Sequence, residues 1–146
     1  MPEMIPEIKP DTLPGTLPDA AKDIMQLLER WAEHTRKDQK DLVLQGHAPD
    51  TVFYDVLGPL DYRGTAAYRA SWDDWQPQTT GEPVFALQDI NVTAGGDTGF
   101  AFGLIRCGGT MPDGRTFCDT VRATFCLRKT GHSWRIVHQH ISRPQG

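Results

Sequence analysis

What most constrains the fold is a run of four β-rich segments, separated by turn signals, that fills the chain after Pro83. "PVFALQDINV" leads through "TAGGDTG" into "FAFGLIRC", and the glycines of that turn supply the positive φ a hairpin needs. "MPDG" has the Pro-Asp-Gly order of a type I turn and introduces "RTFCDTVRATFCLR". "KTGHS" then turns into "WRIVHQHIS". Strands joined by such short loops form an antiparallel meander, which has to curl around whatever covers its apolar face. The cover must come from the N-terminal half.

That half reads as mainly helical. Asp19 is a candidate N-cap for a helix running to about Arg36, in which Ile24, Leu27, Leu28 and Trp31 have the i, i+3, i+4, i+7 spacing of one buried face. "DQKDLVLQGHAPD" reads as a second, short helix ended near Gly46 and Pro49. "TVFYDVLG" reads as a short strand stopped by Gly58-Pro59. "GTAAYRASWDDWQP" is a third helix, capped at Thr65 and closed by Pro77, with Tyr68, Trp72 and Trp75 as its apolar stripe. Upstream, prolines recur at every fourth residue from Pro2 to Pro18, each lacking a backbone donor. Residues 1–18 are therefore expected to form an extended arm, mobile or laid across the domain or a partner subunit, ahead of one α+β domain over 19–146.

Composition narrows the function classes. The chain has 146 residues, enough to bury a core as one domain, and its 38% hydrophobic and 23% charged content is that of a globular protein. A net charge of -4 argues against nucleic acid as the main partner. No apolar run approaches the roughly 20 residues of a membrane helix. "MPEMIPEIKP" has neither the basic start nor the apolar stretch of a secretory signal, so a cytoplasmic protein is expected. The three cysteines, Cys107, Cys118 and Cys126, lack zinc-type spacing and read as reduced strand thiols. "TAGGDTG" joins two strands instead of opening a helix, so it reads as a turn, not a phosphate loop. No serine or cysteine stands in a recognisable nucleophile elbow.

The stretches "APDTVFYDVLGPLDYRGTAAYRASW" (48–72) and "VRATFCLRKTGHSWRIVHQHISRP" (121–144), in this order of elements, resemble the SnoaL-like and ketosteroid isomerase-like branch of the nuclear transport factor 2-like superfamily. The resemblance covers about residues 19–144. It implies a cone-shaped roll: two to three N-terminal helices packed on a strongly curved, mainly antiparallel sheet, with one apolar pocket between them. It also implies a homodimer through the sheet's outer face. The fold hosts isomerases, cyclases, dehydratases and plain binding modules, so it does not name a reaction.

Asp55, in "DVLG" (55–58), looks like the aspartate that moves the proton in ketosteroid isomerase relatives. A carboxylate in an apolar pocket has its charged form disfavoured, which brings its proton affinity into a useful range. The plainer reading is an aspartate accepting backbone hydrogen bonds at a strand end. An ungapped alignment sets Tyr54 at the catalytic place instead, as an inward hydrogen-bond donor. The isomerases' two oxyanion donors are not reproduced: Arg30, beside Trp31, stands near the helix position, and Arg122 to Thr124 stand around the strand position.

Strand alternation puts Trp134, Ile136, His138, His140 and Ser142 on one face, with the two histidines roughly 7 Å apart at Cα. The family alignment sets that face on the pocket. His138 and His140 could then be acid–base groups near neutral pH, or hydrogen-bonded structural histidines, or a His-x-His chelate completed by Asp119 or Asp55. The register of the last hairpin decides whether Arg122 or Asp119 faces them, with Arg122 favoured. Trp31, Tyr68, Trp72 and Trp75 read as core filling or as a flat wall for a ring-shaped ligand.

The expectation drawn from all this is a small-molecule-binding protein that needs no cofactor or metal and transfers a proton next to a carbonyl. Its ligand would be a small apolar or aromatic carbonyl compound or acid. Asp55 would be the base, His138, His140 or Tyr54 the acid or oxyanion donor, and Arg122 would support charge. Trp31, Tyr68, Trp72 and Thr124 would contact the ligand. The alternatives are a non-catalytic binding or accessory module and, behind it, a His-x-His metalloprotein.

Overall fold

A computed structural model describes residues 17–145. The helices are α1 (Leu17–Arg36), α2 (Lys40–Val43) and α3 (Thr65–Trp75). The strands are β1 (His47–Tyr54), β2 (Tyr62–Arg63), β3 (Thr80–Gly95), β4 (Thr98–Thr110), β5 (Thr116–Thr130) and β6 (Ser133–Ser142). They form one sheet in the order β2-β1-β6-β5-β4-β3, antiparallel throughout except where β1 lies parallel to β6. This is the α+β class and the four-stranded meander expected, with the helices on the concave side of a strongly curved sheet.

Several boundaries differ from the sequence reading. α1 begins at Leu17, so Pro18 lies in its first turn, where a missing N–H costs nothing, and Asp19 is a first-turn residue instead of the cap. The expected arm falls on residues 1–16, outside the described residues, together with 17 and 18, which the helix takes in. The second helix stops at Val43, and β1 already starts at His47. Pro49 is tolerated inside β1 because the pairing with β6 slips there, between His47 and Val52, and a bulge asks no ladder bond of it. The buried Thr51 hydroxyl closes the bulge, lying 2.6 Å from the Ala48 carbonyl and 2.8 Å from that of Ile136. α3 is preceded by Gly64 at φ 97°, a left-handed conformation, so glycine takes the cap position assigned to Thr65.

The turns follow their sequences. Gly96 and Asp97 make a two-residue link between β3 and β4, and Gly131 and His132 make one between β5 and β6. In "MPDG" the Gly114 amide donates to the Met111 carbonyl at 2.8 Å, closing the turn.

Ile24, Leu28, Phe125, Ile105 and Ile136 are completely buried where α1 meets the sheet. Trp31 sets its ring edge-on between Phe85 (5.3 Å) and Phe125 (5.2 Å). Further register shifts shape the sheet, one of them between Thr80 and Val84 in β3. In β3 the register slips between Gln88 and Asn91, with Asp89 at φ 54°, and a side chain at the facing Gly103 would collide with the bulged backbone. In β6, Cys126 pairs with His138 but Leu127 pairs with Ile136, so Val137 is the inserted residue.

Candidate active site

The bulge at Val137 decides what β6 offers to the interior. Trp134 and Ile136 are buried, but beyond Val137 the buried position is Gln139, with Ile141 half-buried beside it. One inserted residue moves every later side chain to the opposite face. His138 and His140 therefore leave the face they were expected to share with Trp134 and Ile136, and their placement on the pocket wall does not hold. They stand on the outer face with Tyr54, whose ring meets them edge-on at 4.7 Å and 5.3 Å. Nδ1 of His138 donates to the Val52 carbonyl at 2.8 Å. Arg122 does share the histidines' side, pairing with Ser142 in the ladder and donating from Nε to its hydroxyl at 3.1 Å, but that side is the outer one. Thr124, between Phe102 and His140 across the ladder, is exposed there too. Tyr54, His138, His140, Arg122 and Thr124 are thus all directed away from the interior.

On the concave side, a cavity of about 670 Å³ opens between α1, α3 and the sheet. Asp55, Tyr68, Trp72 and Trp31 all line it. Asp55 is the first residue after β1, so the strand's end carries it past the hydrogen-bonded ladder to the cavity wall. The Tyr68 hydroxyl donates to Asp55 Oδ2 at 2.5 Å, and the Val56 amide donates to Oδ1 at 2.7 Å. Burial raises the proton affinity of Asp55 above the ordinary carboxylate value, and the bonds from Tyr68 and Val56 offset only part of this. Tyr68 is itself held well above the usual phenol value, by its burial first and then by the neighbouring carboxylate charge. It is a donor, not a base.

Aromatic packing fixes the pair. Tyr68 lies flat on Phe53 at 4.0 Å with an 11° interplanar angle, and meets Tyr62 and Trp72 edge-on. Trp75 Nε1 donates to the Ser71 hydroxyl at 2.8 Å, holding the end of α3. The aromatic stripe of α3 thus both fills the interior and lines the cavity. Asp119 points to the cavity side, opposite Cys107 in the ladder, and accepts from Arg143 Nη2 at 3.1 Å. Sequence reasoning set Asp119 on one β5 face with Val121, Ala123 and Phe125, where the structure also has it, but left Arg143 out. It also missed the buried pair in which His47 Nε2 donates to Gln139 Oε1 at 2.7 Å, because the bulge carries no local signal. Among the described residues no group of three or more His, Cys, Asp or Glu is arranged to hold a metal, and no helix is long and apolar enough to cross a membrane.

Comparison with known proteins agrees with this fold. The SnoaL-like domain family matches residues 24–146. A nuclear transport factor 2-like protein of unknown function from Pseudomonas putida is 33% identical, over 90% of this chain and 92% of that one, with a TM-score of 0.79. A candidate dehydratase of the same superfamily from Streptomyces avermitilis shares the fold at 17% identity, over 88% of this chain and 99% of its own, with a TM-score of 0.76. A candidate aromatic ring hydroxylase from Novosphingobium aromaticivorans does so at 21% identity, over 88% and 91%, with a TM-score of 0.73. No curated protein matches the sequence.

Proposed function

Because the chain belongs to the SnoaL-like family of the nuclear transport factor 2-like superfamily, we propose that it binds a small apolar carbonyl compound in the Asp55 cavity and moves a proton next to the carbonyl. The observation that carries this reading is the Asp55–Tyr68 pair: a carboxylate whose proton affinity burial has raised, hydrogen-bonded to a phenol that stays protonated. A higher proton affinity makes Asp55 the stronger base while leaving it able to return the proton. Asp55 takes a proton from the carbon beside the carbonyl. Once protonated it no longer needs the Tyr68 hydrogen bond, which can turn to the developing enolate oxygen. Return of the proton to a second carbon completes an isomerisation; loss of a β-hydroxyl with that proton completes a dehydration. The similarity to a candidate dehydratase supports the second outcome.

The apolar strip on the outer face supports assembly with a second copy. Phe100 and Phe102 stack at 6.3 Å and stand 45% and 47% exposed, and Tyr54 is 40% exposed on the same face. On this reading Tyr54, His138 and His140 serve the subunit contact and not the chemistry.

The test is conversion of cyclohex-3-enone to its conjugated isomer, followed by absorbance, with Asp55→Asn alongside. The expected loss in the variant is about 10²- to 10⁴-fold in kcat, with the fold and ligand binding retained. Activity should rise with pH through an ionisation above the ordinary carboxylate range, because only ionised Asp55 is the base. An Asp55→Asn variant as active as the parent would end the proton-transfer reading. A second reading, a non-catalytic ligand carrier, draws support from the commitment of Tyr68's one proton to Asp55; carbonyl ligands that bind without turnover or α-proton exchange in D2O would establish it.

A further inference from the structure

A second cavity, of about 440 Å³, lies between α1, α2 and the start of β6. It is within the size range of small-ligand sites. Trp31 and Val43 line both cavities, so one indole ring and one isopropyl group form the partition between them. Four apolar side chains form part of the inner wall of the second cavity: Leu27, Trp31, Val43 and Trp134, all more than nine-tenths buried. His47 also belongs to this wall; it is buried, and its Nδ1 has no hydrogen-bond partner among the described residues. Burial pushes His47 down to about 4, so its ring is neutral and brings no charge.

Charge comes from the rim. Arg30 on α1 and Arg135 on β6 both line the opening, and neither is in an ion pair with another described residue. Arg135 spends Nη1 on the Gln45 carbonyl at 2.8 Å, which anchors its guanidinium and leaves its other N–H groups available. Among the described residues Asp23 is the single carboxylate on the rim, so the two guanidinium groups outnumber it. His34, whose Nδ1 is bonded to Gln39 Oε1 at 2.8 Å, and His132 also stand on the rim. A cationic rim over an aromatic and aliphatic floor, in a chain of net charge -4, is matched by a molecule with one anionic end and one apolar end.

We propose that this cavity is a second ligand site, separate from the Asp55 cavity, that binds a small organic carboxylate with its apolar body against Trp31 and Trp134 and its carboxylate on Arg30 and Arg135. The site stands on its own geometry and does not depend on the proton-transfer reading. Guanidinium groups pair bidentately with carboxylates, so each arginine should carry a large share of the affinity.

The probe is benzoate, titrated into the full chain and followed by the indole N–H resonances in two-dimensional NMR. Saturable shifts of Trp134 are expected, with affinity weakened about tenfold or more by Arg30→Gln or Arg135→Gln. Arg135→Lys keeps the charge and separates its loss from that of the Gln45 contact. Asp55→Asn should bind benzoate as the parent does. Benzyl alcohol, with the same ring and no charge, should bind much more weakly. Any of four results overturns the proposal: no saturable binding of benzoate, benzyl alcohol binding equally well, unchanged affinity in both arginine variants, or shifts at Trp72 and Trp75 without Trp134, which would place the ligand in the other cavity.

Discussion

The two faces of the curved sheet carry similar residues and put them to different use. The concave side holds Phe53 and Phe125 of the sheet, Asp55 at the end of β1, and Trp31 and Tyr68 of the covering helices; the outer face holds Tyr54, His138, His140, Phe100 and Phe102. Both are aromatic and both are titratable. On the concave face Tyr68 is 6% exposed and Phe125 fully buried, and burial there changes what a carboxylate does. On the outer face the rings stand in reach of water. Residue type alone did not separate the two; the side of the sheet did, and for β6 a single inserted residue set the side. A pair of histidines can look catalytic in sequence and still belong to a surface.

Three experiments break or sharpen that comparison. Phe125→Ala should cost about 3–5 kcal/mol by creating a cavity, whereas Phe102→Ala on the other face should cost within about 0.5 kcal/mol in a dilute sample. Urea unfolding measures both, and equal costs would mean the faces are not the two environments described. The next effect is on acid stability. His47 takes its proton near 6.5 when unfolded but only near 4 when folded. Between those values the unfolded chain binds the extra proton, so stability falls as pH falls, by up to roughly 3 kcal/mol. A His47→Gln variant should show a shallower decline across that window; an unchanged slope in His47→Gln would remove His47 from the acid response. The third contrast lies along β6 itself. Gln139→Ala strands the His47 N–H and should cost about 2–4 kcal/mol. His140→Ala, one residue along on the exposed face, should shift stability by about 0.5 kcal/mol or less. A larger loss from His140 than from Gln139 would contradict the bulge at Val137.

Much of this architecture was legible in the chain. The alternation in "RTFCDTVRATFCLR", the turn at "MPDG" and the stripe of Ile24, Leu27, Leu28 and Trp31 are local periodicities, and each became the element it describes. Asp55 was legible as a residue at a strand end, and Tyr68 as part of a helical stripe, but their pairing was not. It joins residues 13 apart in sequence across β1 and α3, through the turn of chain that contains β2.

The sequence by itself determined the periods of the elements, the turns that join them and the helix face that covers the sheet, because backbone sterics and apolar spacing act within a few residues. The tertiary structure decided which side of the sheet each β6 residue faces, the Asp55–Tyr68 hydrogen bond, and the two cavities meeting at Trp31. A bulge is the outcome of pairing between strands: nothing in "RIVHQH" marks Val137 as the extra residue until β5 and β1 lie alongside it.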